Sequence, residues 1–448
     1  MELEKSTLSK SALGSFGSAI MGIGCTAPAF SIAVTSATIV GDVGTFAVGS
    51  IILCGLIMFG LVATFANLNR ILPSAGASYA WVSAIFGSFA GFITGWSMLL
   101  ASVIFMVAAS IPAASATLLI IAPEYVSNLF ITSIVAIAWL TLISLIVIRG
   151  VKNAYILQLL MTAIEVMIII ALAIGTLKYF YHQPAHHVNL DWIFPVDFSP
   201  RTFAAGAITA LFFYWGWDVT MTLGEETRDG EAGKGAFFAV ANLMLLFSIM
   251  ISIILIALTD REIEESSSNV LFALANKIFP HPWGYAAILC TMLSTIGTIE
   301  GQIIQFSRCV FAMARDGALP GRLSLVHMKW KTPWAATMLI WLLGTAFIIT
   351  SASLPSVNEI LKSAIAAIGI QICLYMTLAG LASIWHYRYM FGSGIYNSCR
   401  FILVPSIGTL GILTVGILSI PQLSRVSLIV GIGGILIGAI FYGLTRRS

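Results

Sequence analysis

The feature that most constrains this chain is a succession of continuously apolar runs, each long enough to cross a lipid bilayer, which takes about 20 helical residues. Of the 448 residues, 59% are apolar and only 9% are charged, whereas a soluble domain carries about 25% charged residues. Backbone polar groups in lipid must be hydrogen-bonded within the protein, so a span is either a helix or a strand of a closed barrel. The runs do not alternate as barrel strands do. The sequence therefore predicts an all-α membrane protein.

The apolar runs predict about twelve transmembrane helices. Their approximate bounds are 15–40, 43–66, 84–113, 127–148, 153–180, 202–224, 235–258, 283–313, 334–352, 358–385, 401–420 and 426–444. An even number of crossings places both termini on the same side of the membrane. Because no stretch has the composition of a separate soluble domain, we expect 1–448 to form a single transmembrane domain.

The basic residues predict which side of the membrane faces the cytoplasm. Of the 22 Lys and Arg residues, 16 fall on the side that holds both termini, and cytoplasmic loops carry the excess of such residues. We therefore expect a multi-pass protein of the cell (inner) membrane with both termini in the cytoplasm. The largest predicted outside loops are 181–201 and 259–282. The basic residues occur singly between apolar runs, so no nucleic-acid partner is expected.

The polar residues indicate neither a metal site nor an enzyme. The six cysteines are scattered through apolar runs without the spacing of metal ligands. Three histidines of the predicted loop 181–201 (His182, His186 and His187) are interpreted as a solvated loop. The histidines lie in loops or at helix ends, whereas an intramembrane enzyme would need a catalytic constellation within the spans. We expect no metal, no cofactor and no enzymatic activity.

The first predicted helix contains residues that disfavour a continuous helix. Gly22 and Gly24 flank Ile23, and Pro28 follows four residues after Gly24. Proline removes a backbone donor and clashes with the preceding turn, and glycine lowers the free energy of leaving the helix. These residues predict an unwound stretch near 22–26 in mid-membrane, where irregular backbone is tolerated if it lines a cavity or is buried. The alternative is that the glycines allow close helix packing.

The sixth predicted helix contains a matching stretch, Trp215-Gly216-Trp217-Asp218, in which glycine and aspartate are poor helix formers. Breaks in the first and sixth helices have the spacing expected of an inverted five-plus-five repeat. The exposed amides of a half-helix attract an anionic group, and freed carbonyl groups attract a cation. A pair of breaks therefore suits a zwitterion such as an amino acid.

Four stretches of the chain resemble the amino acid–polyamine–organocation (APC) superfamily of permeases. They are Gly22-Ile23-Gly24; Pro73 to Tyr79, followed by Gly95-Trp96; Trp215 to Asp218, followed by Glu225-Glu226; and Arg308 with Ala314 to Pro320. Their order and spacing match over nearly the whole chain.

The resemblance implies a leucine-transporter-type fold. Helices 1–5 (about 15–180) and 6–10 (about 202–385) would be inverted repeats, with helices 11 and 12 (about 401–444) appended. It also implies a substrate site in which the α-carboxylate lies on helix 1 amides and the amino group near helix 6 carbonyls, with Trp215 or Trp217 closing the site. The implied substrate-binding residues are Gly22, Ile23, Gly24, Cys25, Thr26, Trp215, Gly216, Trp217 and Asp218.

Three acidic residues lie within predicted spans, and such residues are candidates for function because a charge at bilayer depth is unfavourable. Many amino acid members of the superfamily have a lysine where this chain has Glu165. We hypothesise that Glu165 is the proton-coupling group and that Glu300 assists it. The alternatives are that Glu165 stays protonated and hydrogen-bonds a neighbouring helix, and that Glu300 pairs with Arg308. Asp218 would either bind a substrate amine or cap the second half of helix 6.

Together these features predict a secondary transporter of an amino acid or related amine, with protons as the coupling ion or with exchange of solutes. Its partners would be a small-molecule substrate and the lipid bilayer. A polyamine or other cationic amine is the alternative substrate. A channel is more remote, since no repeated filter motif or ring of charges is present. Glu225 and Glu226 are interpreted as a solvated gate or surface network.

Overall fold

The computed structural model describes residues 8–194, 199–266, 269–351 and 357–445, and the regular elements in these ranges are helices. Ten helical segments within them are long and apolar enough to cross a membrane. The first, Ser15–Ile71, spans 57 residues and contains three successive helices. The predicted all-α membrane protein is thus confirmed, while the termini at 1–7 and 446–448 lie outside the described residues.

The α-helices of the first part of the chain run up to residue 180. They are α1 (Ser15–Thr26), α2 (Pro28–Val43), α3 (Ala47–Ile71), α4 (Ser78–Phe86), α5 (Ser88–Ile121), α6 (Leu129–Ile148) and α7 (Val151–Phe180).

The remaining α-helices begin at residue 200. They are α8 (Pro200–Tyr214), α9 (Val219–Thr222), α10 (Glu231–Ala257), α11 (Asp260–Glu265), α12 (Val270–Ile278), α13 (Tyr285–Arg315), α14 (Trp334–Ser351), α15 (Val357–His386), α16 (Ile395–Ser398), α17 (Val404–Ser419), α18 (Arg425–Leu428) and α19 (Gly434–Thr445). Single π-helical segments join α16 to α17 and α18 to α19.

The third predicted helix, 84–113, has different bounds in the structure. A short helix α4 ends at Phe86, and Gly87 (φ +90°) turns the chain before α5 begins at Ser88. At its other end α5 continues past Pro112 to Ile121. Proline is tolerated inside membrane helices because neighbouring groups satisfy the freed carbonyl, so Pro112 does not end the helix.

The predicted outside loop 259–282 contains the two short helices α11 and α12. A capping box formed by Thr259 and Glu262 starts α11. Lys277 Nζ lies 2.7 Å from Glu262 Oε1, and this ammonium holds the pKa of Glu262 below its usual value. The buried apolar face of α12 packs on α2 and α13. This connection is therefore partly helical, because the polar residues around α12 conceal a short amphipathic segment in the sequence.

Helix α13 occupies the centre of the molecule. It packs against α1, α2, α5, α6, α7 and α14, and its residues from Thr295 to Ala314 are buried. In contrast, α17 and α19 expose many apolar side chains, as helices that face lipid do. Polar side chains on α13 therefore lie in the protein interior rather than at the lipid boundary.

The segment before α1 is joined to the segment after α9. Leu13 N donates to Glu226 O at 3.2 Å, and Arg228 N donates to Leu13 O at 3.0 Å. The side chain of the same Glu226 forms an ion pair: Arg308 Nε lies 2.8 Å from Glu226 Oε2, and both side chains are fully buried. Two interpretations are therefore wrong: Arg308 pairs with Glu226 rather than Glu300, and Glu226 is not solvated. The tertiary fold decides this, because the segment after α9 places Glu226 against the buried face of α13.

The buried pair leads to a stability prediction. Glu226→Gln leaves the Arg308 guanidinium buried without a counter-charge, and breaking a buried pair in this way lowers stability by about 3–5 kcal/mol. Thermal unfolding of the purified protein in detergent should show a large fall in melting temperature. The neighbouring variant Glu225→Gln is the control, because the Glu225–Arg315 pair is partly exposed and should matter less. Equal shifts in the two variants would contradict the prediction.

Candidate functional site

The first helix is interrupted at Ala27. Helix α1 continues to Thr26, Ala27 has φ +51° and ψ +66°, and Pro28 opens α2. The predicted unwound stretch near 22–26 is therefore helical, and the interruption lies just beyond it. The reason is that proline fits the first position of a helix but disfavours helical backbone at the preceding residue.

Gly22 and Gly24 serve close packing of α1. A Cβ atom at Gly24 would lie 1.6 Å from the Gln158 amide, and one at Gly22 would lie 3.0 Å from Thr220 Cγ2. Gln158 is buried between α1 and α13. The side-chain amide of Gln158 is oriented so that its oxygen accepts from a hydroxyl and its nitrogen faces acceptors. In this orientation the nitrogen donates to Gly297 O at 3.1 Å and to Glu300 Oε2 at 3.2 Å. The space left by Gly24 thus admits the group that contacts Glu300.

The second interruption lies between α8 and α9. Helix α8 ends at Tyr214, Trp215 is extended, and Gly216 has φ +122°. A Cβ atom at Gly216 would lie 2.5 Å from Cys25 O. Glycine is required here both by the left-handed backbone and by the contact. The second interruption therefore touches the last residues of α1, directly before the first interruption at Ala27.

Asp218 is buried and hydrogen-bonded to two other helices. Its Oδ2 accepts from Gln305 Nε2 at 2.7 Å and from the Tyr375 hydroxyl at 2.9 Å, while its Oδ1 has no partner. Although Asp218 directly precedes α9, its side chain makes no capping hydrogen bond to that helix. The capping hypothesis is wrong, because Gln305 and Tyr375 draw the carboxylate away from the helix.

Two tryptophans flank Asp218. Trp217 is fully buried, with its ring 5.4 Å from that of Phe65, and its Nε1 has no partner. Trp215 Nε1 donates to the Tyr375 hydroxyl at 3.0 Å, and its ring meets Phe105 edge-on at 5.2 Å. The acid thus lies in an aromatic, water-poor environment.

The side chain of Glu165, a residue of α7, reaches the start of α2. Its Oε1 accepts from Ala29 N at 2.7 Å and from Ser294 Oγ at 2.8 Å, and Ser294 Oγ accepts from Phe30 N at 3.2 Å. The first amides of a helix lack intrahelical partners and attract negative charge. Glu165 therefore satisfies a helix start that belongs to another part of the chain.

One face of α13 carries further polar groups toward the interruptions. Ser294, Thr298 and Gln302 are spaced four apart, which places them on one side of the helix. Thr298 Oγ1 donates to Cys25 O at 2.5 Å, and Gln302 Nε2 lies 3.5 Å from Cys25 Sγ. Sequence reasoning missed this face, as well as Gln158, Gln305 and Tyr375. The regular spacing of polar residues within an apolar span was the available signal.

The structure places the predicted site residues as follows. The helix 1 stretch Gly22–Thr26 and the helix 6 stretch Trp215–Asp218 meet at Cys25 and Gly216. Glu165 and Glu300 do not contact each other and lie on the α7 and α13 side of α1.

The side chains buried in the described residues include the acids Glu165, Asp218, Glu226 and Glu300 but a single base, Arg308. The three acids of the site are therefore not neutralised by a buried base in that part of the chain.

The histidines of loop 181–201 form no metal site in the described ranges, where no cluster of three potential ligands occurs. His186 instead contacts Leu255 O through Nδ1 at 2.8 Å and Asp260 through Nε2 at 3.2 Å. It ties the loop to the end of α10.

A helical membrane protein with two touching helix interruptions and buried polar groups around them has the architecture of a solute permease. Residues 10–439 match the amino acid permease family, to which this chain belongs.

Several characterised transporters are similar to the chain. The serine/threonine exchanger SteT of Bacillus subtilis is 26% identical over 300 residues, which are 64% of each chain. The branched-chain amino acid permease BcaP of the same organism is 25% identical over 79% of this chain and 77% of its own length. The low-affinity putrescine importer PlaP of Escherichia coli is 23% identical over 86% and 82%. The family and these relatives are transporters, not enzymes.

The contact between the two interruptions leads to a second prediction. Gly216→Ala places a Cβ atom against Cys25 O in a backbone region that L-residues disfavour, which lowers stability by about 1–3 kcal/mol and should abolish solute binding. Thermal unfolding and ligand-induced stabilisation measure both effects. Gly41→Ala is the control, because a Cβ at Gly41 meets no atom within 4 Å. A Gly216→Ala protein with normal stability and binding would show that this contact is dispensable.

Proposed function

We propose that the protein is a secondary active transporter that moves an amino acid or a related amine across the cell membrane by alternating access. The observation that carries the proposal is the contact between Gly216, in the second interruption, and Cys25, at the end of α1 beside the first interruption. Buried polar groups surround this contact. Binding sites of secondary transporters lie at such discontinuous helices near the bilayer midplane. Family membership and the transporter relatives support the same function.

The proposed architecture has twelve membrane crossings and a five-plus-five inverted repeat. Helices α1 and α2 together form the first crossing, and α8 and α9 form the sixth. The repeats would comprise about 15–180 and about 202–385, with the segments about 401–444 appended. Both termini would lie in the cytoplasm, as the distribution of Lys and Arg favours.

Alternating access requires the interior contacts to open on one side at a time. Trp217, Asp218 and Cys25 are at most 2% exposed, so a solute reaches them only after helices move. On the proposed cytoplasmic side, the Leu13–Glu226 backbone contact and the Glu226–Arg308 pair hold α1, the end of α9 and α13 together. Opening toward the cytoplasm would separate these elements.

Proton coupling is proposed to act through Glu165, assisted by Glu300. In its ionised form Glu165 accepts hydrogen bonds at the start of α2, where the positive end of the helix favours a negative charge. Protonation removes that charge and weakens the link between α7 and the second half of helix 1. Glu300 reaches the same helix through Gln158. Binding of a proton can thereby change the strength of the contacts that link α1 and α2 to α7 and α13.

This proposal predicts the behaviour of Glu165→Gln, which keeps an acceptor oxygen but cannot carry the proton. Purified protein in liposomes with clamped membrane potential should accumulate solute severalfold when the outside is acidic. The variant should transport only down the solute gradient. Glu124→Gln, which alters an exposed carboxylate, is the control and should behave as the unaltered protein. Uphill transport by Glu165→Gln would refute the role of Glu165, and counterflow without any proton gradient would favour exchange.

A further inference from the structure

Free hydrogen-bond acceptors lie beside the interruption between α8 and α9. Asp218 Oδ1 and Gln305 Oε1 are buried without a partner. The two side chains are joined by the bond from Gln305 Nε2 to Asp218 Oδ2, so their free oxygens lie in one small region. Buried polar atoms normally have partners. Because both free atoms are acceptors, the missing partner must be a donor.

The backbone amides at the start of α2 are already occupied by the chain itself. Pro28 has no N–H group, Ala29 N donates to Glu165, Phe30 N donates to Ser294 Oγ, and Ser31 N donates to Ala27 O at 2.9 Å. These are the groups that would otherwise bind an anion at a half-helix. The resemblance to amino acid permeases implies a carboxylate at helix 1 amides, but Glu165 supplies a carboxylate there from within the protein.

The other interruption is no more favourable for an anion. Val219 N, Thr220 N and Met221 N donate to backbone carbonyls. An anionic solute group would therefore meet acidic side chains at both interruptions, with no buried base among the described residues near them.

We infer that the transported solute is an organic ammonium ion without a carboxylate group, held by Asp218 Oδ1 and Gln305 Oε1. An ammonium group has three donors and no acceptor, which matches the two free carboxylate and amide oxygens. Trp215 and Trp217 belong to the same interruption as the acid, Trp215 being linked to it through the Tyr375 hydroxyl, and aromatic faces attract cations. This inference rests on the proposed transport function and narrows its substrate to amines rather than amino acids.

The test compares amines with the amino acids from which decarboxylation derives them. Matched pairs are putrescine with ornithine, phenethylamine with phenylalanine, and isobutylamine with valine, measured by binding to the full chain in lipid nanodiscs and by uptake into liposomes. At least one amine should bind about tenfold more tightly than its amino acid, which corresponds to about 1.4 kcal/mol. An amino acid that binds as tightly as its amine, or more tightly, overturns the inference and leaves the transport function intact. Failure of all six compounds to bind or enter overturns both.

Two variants locate the amine. Asp218→Asn and Gln305→Met should each weaken amine binding about tenfold or more, and Glu124→Gln should not change it. Gel filtration and thermal unfolding identify which variants fold, so the second variant keeps the test decisive if the first is unstable. Amine affinity that is unchanged in a folded variant of either residue places the ammonium elsewhere and overturns the assignment.

A second, separate site is a groove between α3, α10 and the start of α17. It encloses a cavity of about 460 Å³, a size typical of small-molecule sites. Most of its lining is apolar and includes Phe59, Val62, Phe237 and Phe238, the last two about half exposed. Arg70 and Lys234 line the same groove, at the end of α3 and the beginning of α10.

The charges of the groove are unequal. Lys234 pairs with Glu231 at 2.7 Å, whereas Arg70 has no acidic partner within ion-pair distance in the described part of the chain. A net positive charge therefore remains at one end of the apolar groove. This end lies on the predicted cytoplasmic side, where anionic lipids occur and basic pockets between helices bind their head groups.

We propose that this groove binds an anionic phospholipid, with its phosphate at Arg70 and Lys234 and an acyl chain along Phe59 and Phe237. The apolar lining complements the chain and the surplus cation complements the phosphate. A zwitterionic lipid offers the same chains but no net charge, so the groove should discriminate by head group.

Native mass spectrometry of the full chain measures this preference. The protein should retain phosphatidylglycerol about fivefold better than phosphatidylcholine of the same chains, and Arg70→Gln with Lys234→Gln should remove the preference. Lys152→Gln, an exposed lysine on the same predicted side, is the control. Equal retention of both lipids, or an unchanged preference in the double variant, overturns the proposal. Displacement by glycerol 3-phosphate alone would also overturn it, since a soluble phosphate would then be the ligand.

Discussion

The structure depends on how the backbone polar groups at Ala27 and Pro28 are satisfied inside a membrane. Unpaired amides and carbonyls are strongly unfavourable there because no water is available to bond them. The chain answers with groups from distant helices: Glu165 and Ser294 bond the start of α2, and Thr298 bonds Cys25 O. The interruption is therefore stable only where α7 and α13 meet it. This requirement explains why α13 is the central, most polar long helix of the fold.

Buried charge is the second organising constraint. Glu226 and Arg308 neutralise each other and connect the end of α9 to α13, while Glu165, Asp218 and Glu300 have no buried cationic partner in the described ranges. Isolated buried carboxylates are unfavourable, so each of the three is held by hydrogen bonds or is available to a proton or a cation. Glu226 and Arg308 therefore form an internal ion pair, whereas the hydrogen-bond partners of the other three acids in the described ranges are uncharged.

Several parts of the fold could be predicted from sequence alone because they depend on local composition. Runs of apolar residues identify membrane spans, and Pro28 identifies an interruption to within a few residues. Errors arose where distant elements decide the outcome. Capping of the second half of helix 6 was one of two roles considered for Asp218, yet Gln305 and Tyr375 bind its carboxylate. Arg308 was considered as a partner of Glu300 because they share a helix, but the segment after α9 supplies Glu226 instead. The amphipathic α12 was missed because it is short and flanked by polar residues.

The sequence by itself determined that this is an all-helical membrane protein with an interruption near Pro28, since hydrophobicity and the positions of proline and glycine act within one segment. The expected permease function came from the resemblance to a known superfamily. Tertiary structure alone decided which groups each polar side chain meets. From the sequence, Glu165 could equally have been an isolated acid or the partner of a helix start, and only the hydrogen bonds from Ala29 N and Ser294 Oγ in the folded chain select the second. The physical reason is that hydrogen bonds and ion pairs act over about 3 Å, a distance that sequence separation does not reveal.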